Sequence, residues 1–141
     1  MEIKITVSGL NELRQRLRPL TNPTWIAGAV EVGGRIIGKG IRERYDAEVT
    51  PDYTPWAPLK SSTLKRKGGR GKMLVQTGSL RSSIRVVGVN QYAVKLVAAD
   101  HPGKFHQSGT TKMVARPFMG ISSKDETEVM DMMERRLKAL L

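Results

Sequence analysis

The stretch from Asn22-Pro23 to Tyr45 leaves this chain few ways to fold. Asn22 offers a side-chain acceptor for the free N–H groups of a helix start, and Pro23 suits the first helical position, where an N–H would go unpaired anyway. Ile26, Val30, Gly33, Ile37, Ile41 and Tyr45 then recur three or four residues apart, the spacing of one helix face. A helix this long is expected to be the main support of the core. It also carries Gly28, Gly33, Gly34, Gly38 and Gly40. Each costs about 1 kcal/mol against Ala in a helix interior. That cost points to close packing on the backbone, by a sheet or a neighbouring subunit, or else to a kinked or frayed helix.

The flanks supply the rest of an architecture. Residues 2–7 alternate apolar and polar with period two, as a half-buried strand does. Ser8 reads as an N-cap, and Leu10, Leu13, Leu17 and Leu20 give a short amphipathic helix ending near Pro19. Residues 48–76 hold no sustained period and read as a long loop, which in a compact domain is usually functional or disordered. Thr77-Gly78-Ser79-Leu80 makes one turn into a strand from Ile84 to Val89. Asn90-Gln91 turns the chain, and Tyr92 to Val97 returns as the second arm of a hairpin. Residues 99–118 read as irregular. Ser123 and Glu126 form a capping box for a C-terminal helix, acidic in its first turns and basic in its last, with Met130, Met133, Leu137 and Leu140 on its apolar face. The expectation is one α+β domain over residues 1–141: a small, mainly antiparallel sheet against two or three helices, with a long mobile middle loop.

Charge is distributed unevenly over this frame. The net charge is +11, yet residues 1–52 hold eight basic and seven acidic side chains, and residues 100–141 hold seven and six. Residues 53–99 hold nine basic side chains and no acidic one. Such a block seeks an anionic partner, nucleic acid or an acidic protein surface, or is simply a solvated loop. The longest apolar runs, such as WIAGAV, are far too short to span a membrane, and the first residues lack the pattern of a secretory signal. No cysteine is present, so disulfides and thiolate metal sites are excluded.

Most chemistries fail on spacing. A phosphate-binding loop needs Gly with four residues between it and Gly-Lys and a hydroxyl after the Lys; here Arg66 holds the first position and Met73 follows Gly71-Lys72. His101 and His106, five apart, do not share a helix face, and with Asp100 alone nearby they fall short of a catalytic zinc set. No G-x-S-x-G occurs, and no pair of titratable groups is nominated for acid–base work. The reading is no enzyme, no cofactor and no metal. Nucleic-acid binding has more to offer, since Tyr53 and Trp56 stand near Lys60, Lys65, Arg66, Lys67, Arg70 and Lys72. Yet Pro55 and Pro58 bracket the Trp in a rigid surface suited to docking, and no reader motif is present.

Two segments together resemble a known family. Trp56-Ala57-Pro58-Leu59-Lys60, Ser62-Thr63, Lys67 and Leu74-Val75-Gln76-Thr77-Gly78-Ser79-Leu80 are similar to one signature. His106-Gln107-Ser108-Gly109 and Ala115-Arg116-Pro117-Phe118-Met119-Gly120-Ile121-Ser122 are similar to the other. Both recur in this order in the virion morphogenesis (tail completion) proteins of Mu-like and other contractile-tailed bacteriophages and prophages. The resemblance covers roughly residues 25–140, while the N-terminal strand and first helix match only loosely.

The resemblance implies a non-catalytic structural protein at the head-proximal end of a tail, in the virion and, during assembly, in the host cytoplasm. Its implied partners are further copies of itself in a ring, expected as a hexamer, together with tail tube or terminator and head connector proteins. Non-specific DNA contact is allowed and a membrane is not. Trp and Arg are favoured interface anchors, which nominates Trp56 and Arg116. The assembly set is Trp56, Pro58, Leu59, Lys60, Thr63, Lys65, Arg66, Lys67, Arg70, Lys72, His106, Gln107 and Arg116. Thr77, Gly78, Leu80, Gly109, Pro117, Phe118 and Gly120 are read as structural. Trp56 could equally pin the loop to its own domain, and Phe118 reads as core. The alternative from another class is a basic DNA-binding accessory protein.

Overall fold

The computed structural model describes residues 8–69, 73–74, 78–90, 92–98 and 103–140. The expected strand at 2–7, and Arg70, Lys72, Thr77 and His101, lie outside them. Among the described residues the fold is α+β, with six α-helices, a 3-10 turn and a two-stranded antiparallel sheet.

Helix α2 (Pro23–Ala47) is the element on which the others pack. Asn22 caps it by accepting from the Thr24 N–H at 2.8 Å, and Pro23 opens it. It packs on β1 (Ile84–Asn90), on β2 (Ala93–Ala98) and on α6 (Ser123–Lys138). The glycines explain how it serves both neighbours. A Cβ on Gly34 would stand 2.6 Å from Val94 Cγ2, and one on Gly38 would stand 3.3 Å from Leu96 Cδ2. Gly33 instead faces Met132 and Val129, and a Cβ on Gly40 would fall 1.9 Å from Asp125 Oδ1. At about 100° per residue these are two adjacent stripes of one helix. The helix runs unbroken from Pro23 to Ala47, and close approach by these neighbours accounts for glycine at 33, 34, 38 and 40. The sheet is one of the neighbours expected; the second is the chain's own C-terminal helix.

The hairpin pairs Ile84 with Ala98, Val86 with Leu96 and Gly88 with Val94, with an irregularity between Gly88 and Asn90. Ile84 and Val86 alternate on one face, as do Val94 and Leu96, and this face meets α2. Helix α1 (Leu10–Leu17) is capped by Gly9 at φ 82 with no side-chain bond, not by Ser8. Pro19 then lies in a 3-10 turn (Arg18–Thr21) that leads into α2.

Three short helices fall in segments that carry no readable period. Helix α3 (Ser61–Arg66) interrupts the long loop at 48–76, α4 (Ser79–Ser83) follows Gly78, and α5 (Gly103–Ser108) lies in the stretch read as irregular. Helices of five or six residues span fewer than two turns, too short for a 3.6-residue repeat to show.

The capping box of α6 is real but sits one residue earlier than Ser123 and Glu126. Ser122 Oγ accepts from the Asp125 N–H at 3.0 Å, and Asp125 Oδ2 accepts from the Ser122 N–H at 2.9 Å. Both registers satisfy the S-x-x-[DE] pattern. Arg44 decides between them, because its buried guanidinium needs a carboxylate and meets Asp125.

Candidate docking site

The two signature segments meet across the C-terminal end of α2. Tyr45 stands between Trp56 and Phe118, edge-on to each, at centroid distances of 5.5 and 5.6 Å. Edge-to-face contact sets the positive ring edge against a negative face and adds about 0.5–1.5 kcal/mol to area burial. The Trp56 Nε1–H donates to the Pro117 carbonyl at 2.8 Å, so the indole buries no unpaired donor. Tyr45 Oη donates to the Leu74 carbonyl at 2.7 Å. With Ile41, Leu80 and Ile84 these rings form the core. Trp56 is therefore held inside its own domain, only 4% exposed, and is not offered as a surface anchor.

Arg116 repeats this pattern. It is 8% exposed, and its guanidinium donates to the Ala57 and Pro58 carbonyls at 3.0 Å each. Gln107 is also turned inward. Its carbonyl oxygen accepts from the Phe118 and Met119 N–H groups at 3.0 Å, and its amide donates to the Met119 carbonyl at 2.9 Å. These residues stitch one signature to the other. His106 contributes its backbone carbonyl, which accepts from the Arg116 N–H at 2.7 Å. Gly109, at φ 73, turns the chain where a Cβ would lie 2.8 Å from the Ala115 nitrogen, so the turn requires glycine. Gly120 passes so near Pro51 that a Cβ would stand 2.6 Å from its ring.

What these stitches hold open is a groove of about 760 Å³ between α3 and the segment from α5 to Arg116. Its apolar lining comes from Pro58, Leu59, Leu74, Phe105, Met113 and Val114. Lys60, Arg66, Lys67 and Lys112 add positive charge, with Thr63, His106 and Arg116 completing the wall. Among the described residues no acidic side chain lines it. Of the nominated assembly residues, Pro58, Leu59, Lys60, Thr63, Arg66, Lys67, His106 and Arg116 are thus brought together, whereas Lys65 is exposed on α3 outside the lining. Sequence reasoning missed Phe105, Lys112, Met113 and Val114. The available signal was the apolar pair Met113-Val114 beside Lys112, stranded in a segment without periodicity.

A second missed cluster lies where α2 meets the start of α6. The Arg44 guanidinium, buried with Asp125, donates to Asp125 Oδ2 at 2.7 Å, to Ser122 Oγ at 3.0 Å and to the Gly120 carbonyl at 2.7 Å. Gly40, one turn before Arg44, leaves the space that the carboxylate fills. The arrangement fixes the start of α6. Half-exposed Arg81 is tied to Asp46 through two bonds of 2.6 and 2.7 Å, and this carboxylate raises the arginine's pKa. Among the described residues no group of three or more His, Asp or Glu side chains could hold a metal ion. None of their helices is long and apolar enough to cross a membrane.

A match to the phage virion morphogenesis family spans residues 8–138. The chain is also similar to Mu-like prophage FluMu G protein 1 of Haemophilus influenzae, 34% identical over 101 residues that cover 68% of each chain. No solved structure matches.

Proposed function

Because the chain belongs to the phage virion morphogenesis family, whose membership carries a role in phage virion assembly, we propose that it is a non-catalytic tail completion protein. In this reading it acts at the head-proximal end of a tail, in the neck of the virion. It joins there as a ring of its own copies, a hexamer, that docks tail tube or terminator proteins on one side and head connector proteins on the other. Assembly takes place in the host cytoplasm.

The observation that carries the reading is the groove. Both signature segments spend their buried side chains on holding it, and it presents apolar surface with a lining that is basic and, among the described residues, free of acidic side chains. A binding surface needs this combination, because apolar contact supplies affinity while charge supplies specificity and approach rate. A reaction site would instead gather titratable groups in mutual hydrogen-bond reach. Electron microscopy of lysates from a phage deprived of this chain tests the reading. Filled heads beside unjoined tails are expected; joined, infectious particles would refute it.

The basic lining also supports weak DNA contact. Binding to a short duplex should be micromolar or weaker at physiological salt and should fade steeply as salt rises. A DNA-binding accessory role, the alternative, requires tight binding under the same conditions.

A further inference from the structure

The groove has a counterpart elsewhere on the same chain. The outward side of α6 carries Glu126, Met130 and Glu134 at intervals of four residues, with Leu137 beside them. At about 100° per residue this is one continuous strip. Met130 is 67% exposed and the two glutamates are exposed as well. The opposite side of α6, with Asp125 and Met132, is buried against α2. The strip is thus apolar with acidic flanks, of which Glu134 also meets Lys138 one turn on at 2.7 Å, and the groove is apolar with basic flanks. Met130 is exposed within a single copy, so a chain does not fill its own groove with its own strip.

We infer that the groove of one copy receives the Glu126–Met130–Glu134 strip of α6 from the next copy. Met130 enters between Leu59, Phe105 and Val114, and the glutamates meet Lys60 and Arg66 at the rim. Such a contact is heterologous, since two different surfaces of the same chain meet. Repetition then closes a ring when the rotation permits, and otherwise gives an open helical filament. Nucleic acid fits the groove less well, because phosphates would leave its apolar lining without a partner. This inference rests on the self-assembly reading above and names the surfaces that carry it.

Charge exchange in the full-length chain tests it. One variant reverses the groove, Lys60→Glu with Arg66→Glu; the other reverses the strip, Glu126→Lys with Glu134→Lys. All four side chains are exposed, and circular dichroism checks that both variants fold. Masses are measured by light scattering across protein concentration. The parent should form an oligomer that weakens as salt rises. Each variant alone sets like charges against each other and should remain a monomer. Mixed in equal amounts, each groove finds an opposite strip, so the mixture should regain the parent's mass.

An oligomeric parent whose variants also assemble, or whose mixture stays monomeric, would overturn the inference and leave self-assembly standing. A parent that is monomeric at every concentration would remove both. If that monomer bound a short duplex tightly at physiological salt and groove reversal abolished the binding, the groove would be a phosphate site and the inference wrong.

Discussion

Two buried arginines, Arg44 on α2 and Arg116 on the groove wall, meet different fates. Arg44 is neutralised by Asp125, with Ser122 and the Gly120 carbonyl filling further positions of its guanidinium. Arg116 is held by two carbonyls, and among the described residues no carboxylate reaches it. The first site closes on itself and joins two helices. The second keeps its positive charge beside a groove already rich in lysine and arginine. One seam spends its charge on the fold, while the other leaves it on the wall of an open groove.

Breaking the closed seam should have the largest effect. Removing one member of a buried ion pair leaves the other charged and uncompensated, at a cost of about 3–5 kcal/mol. Asp125→Ala should lower stability by this amount in urea unfolding, since it also deletes the α6 capping box. Arg44→Met with Asp125→Leu should recover part of the loss, because a buried pair is replaced with less harm than it is broken. A double variant no better than Asp125→Ala would mean that the cap, not the charge, dominates.

The glycines give the next step down. Gly34→Ala places its methyl 2.6 Å from Val94 Cγ2 and should cost about 1–3 kcal/mol through overpacking. At Gly28 the nearest atom is the flexible end of Arg136, at 3.2 Å, which can withdraw. Gly28→Ala should therefore be neutral or stabilising by up to about 1 kcal/mol, the helix-propensity difference. Thermal unfolding of the two variants compares a tight approach with a loose one on the same helix.

On the open side, stability should barely respond. Lys60→Ala and Arg66→Ala alter exposed side chains and should each stay within about 0.5 kcal/mol of the parent in urea unfolding. A larger loss would show that these cations support the fold, and the contrast between the seams would weaken.

The smallest effect concerns the turn before Trp56. The Thr50 hydroxyl, followed by bonds from Thr54, holds the Asp52 carboxyl below its ordinary pKa. A depressed carboxylate contributes stability above its unfolded pKa and loses it as pH falls through the folded value. The turn should therefore loosen only in acid below the usual aspartate range. Titration of Asp52 by NMR should show a midpoint lower than in a peptide of residues 50–54, and Thr50→Ala should narrow the difference, the Thr54 bonds keeping part of it.

The legible parts of this chain were those whose cause is local or periodic. Asn22-Pro23, the stripe to Tyr45 and the alternating hairpin each carry their reason within a few residues. The glycines of α2 foretold close packing, but α6 as a neighbour depends on residues more than half the chain away. Arg44 was the harder case: on a helix it reads as one more solvated cation, and only Gly40 beside it hints at a carboxylate. Trp56 and Arg116 have the chemistry of interface anchors, yet both turn inward, and Trp56 takes the other course open to it, pinning the loop to its own domain. The signatures proved to encode the frame of the groove, while other lining residues, Lys112 to Val114 among them, carry no pattern.

The central claim is that the open groove serves virion assembly. Its most direct test is electron microscopy, with a count of infectious particles, on a phage whose only copy of this chain carries Lys60→Glu and Arg66→Glu. The account predicts that the chain accumulates folded while heads and tails remain unjoined. Joined, infectious particles in parental yield would contradict it.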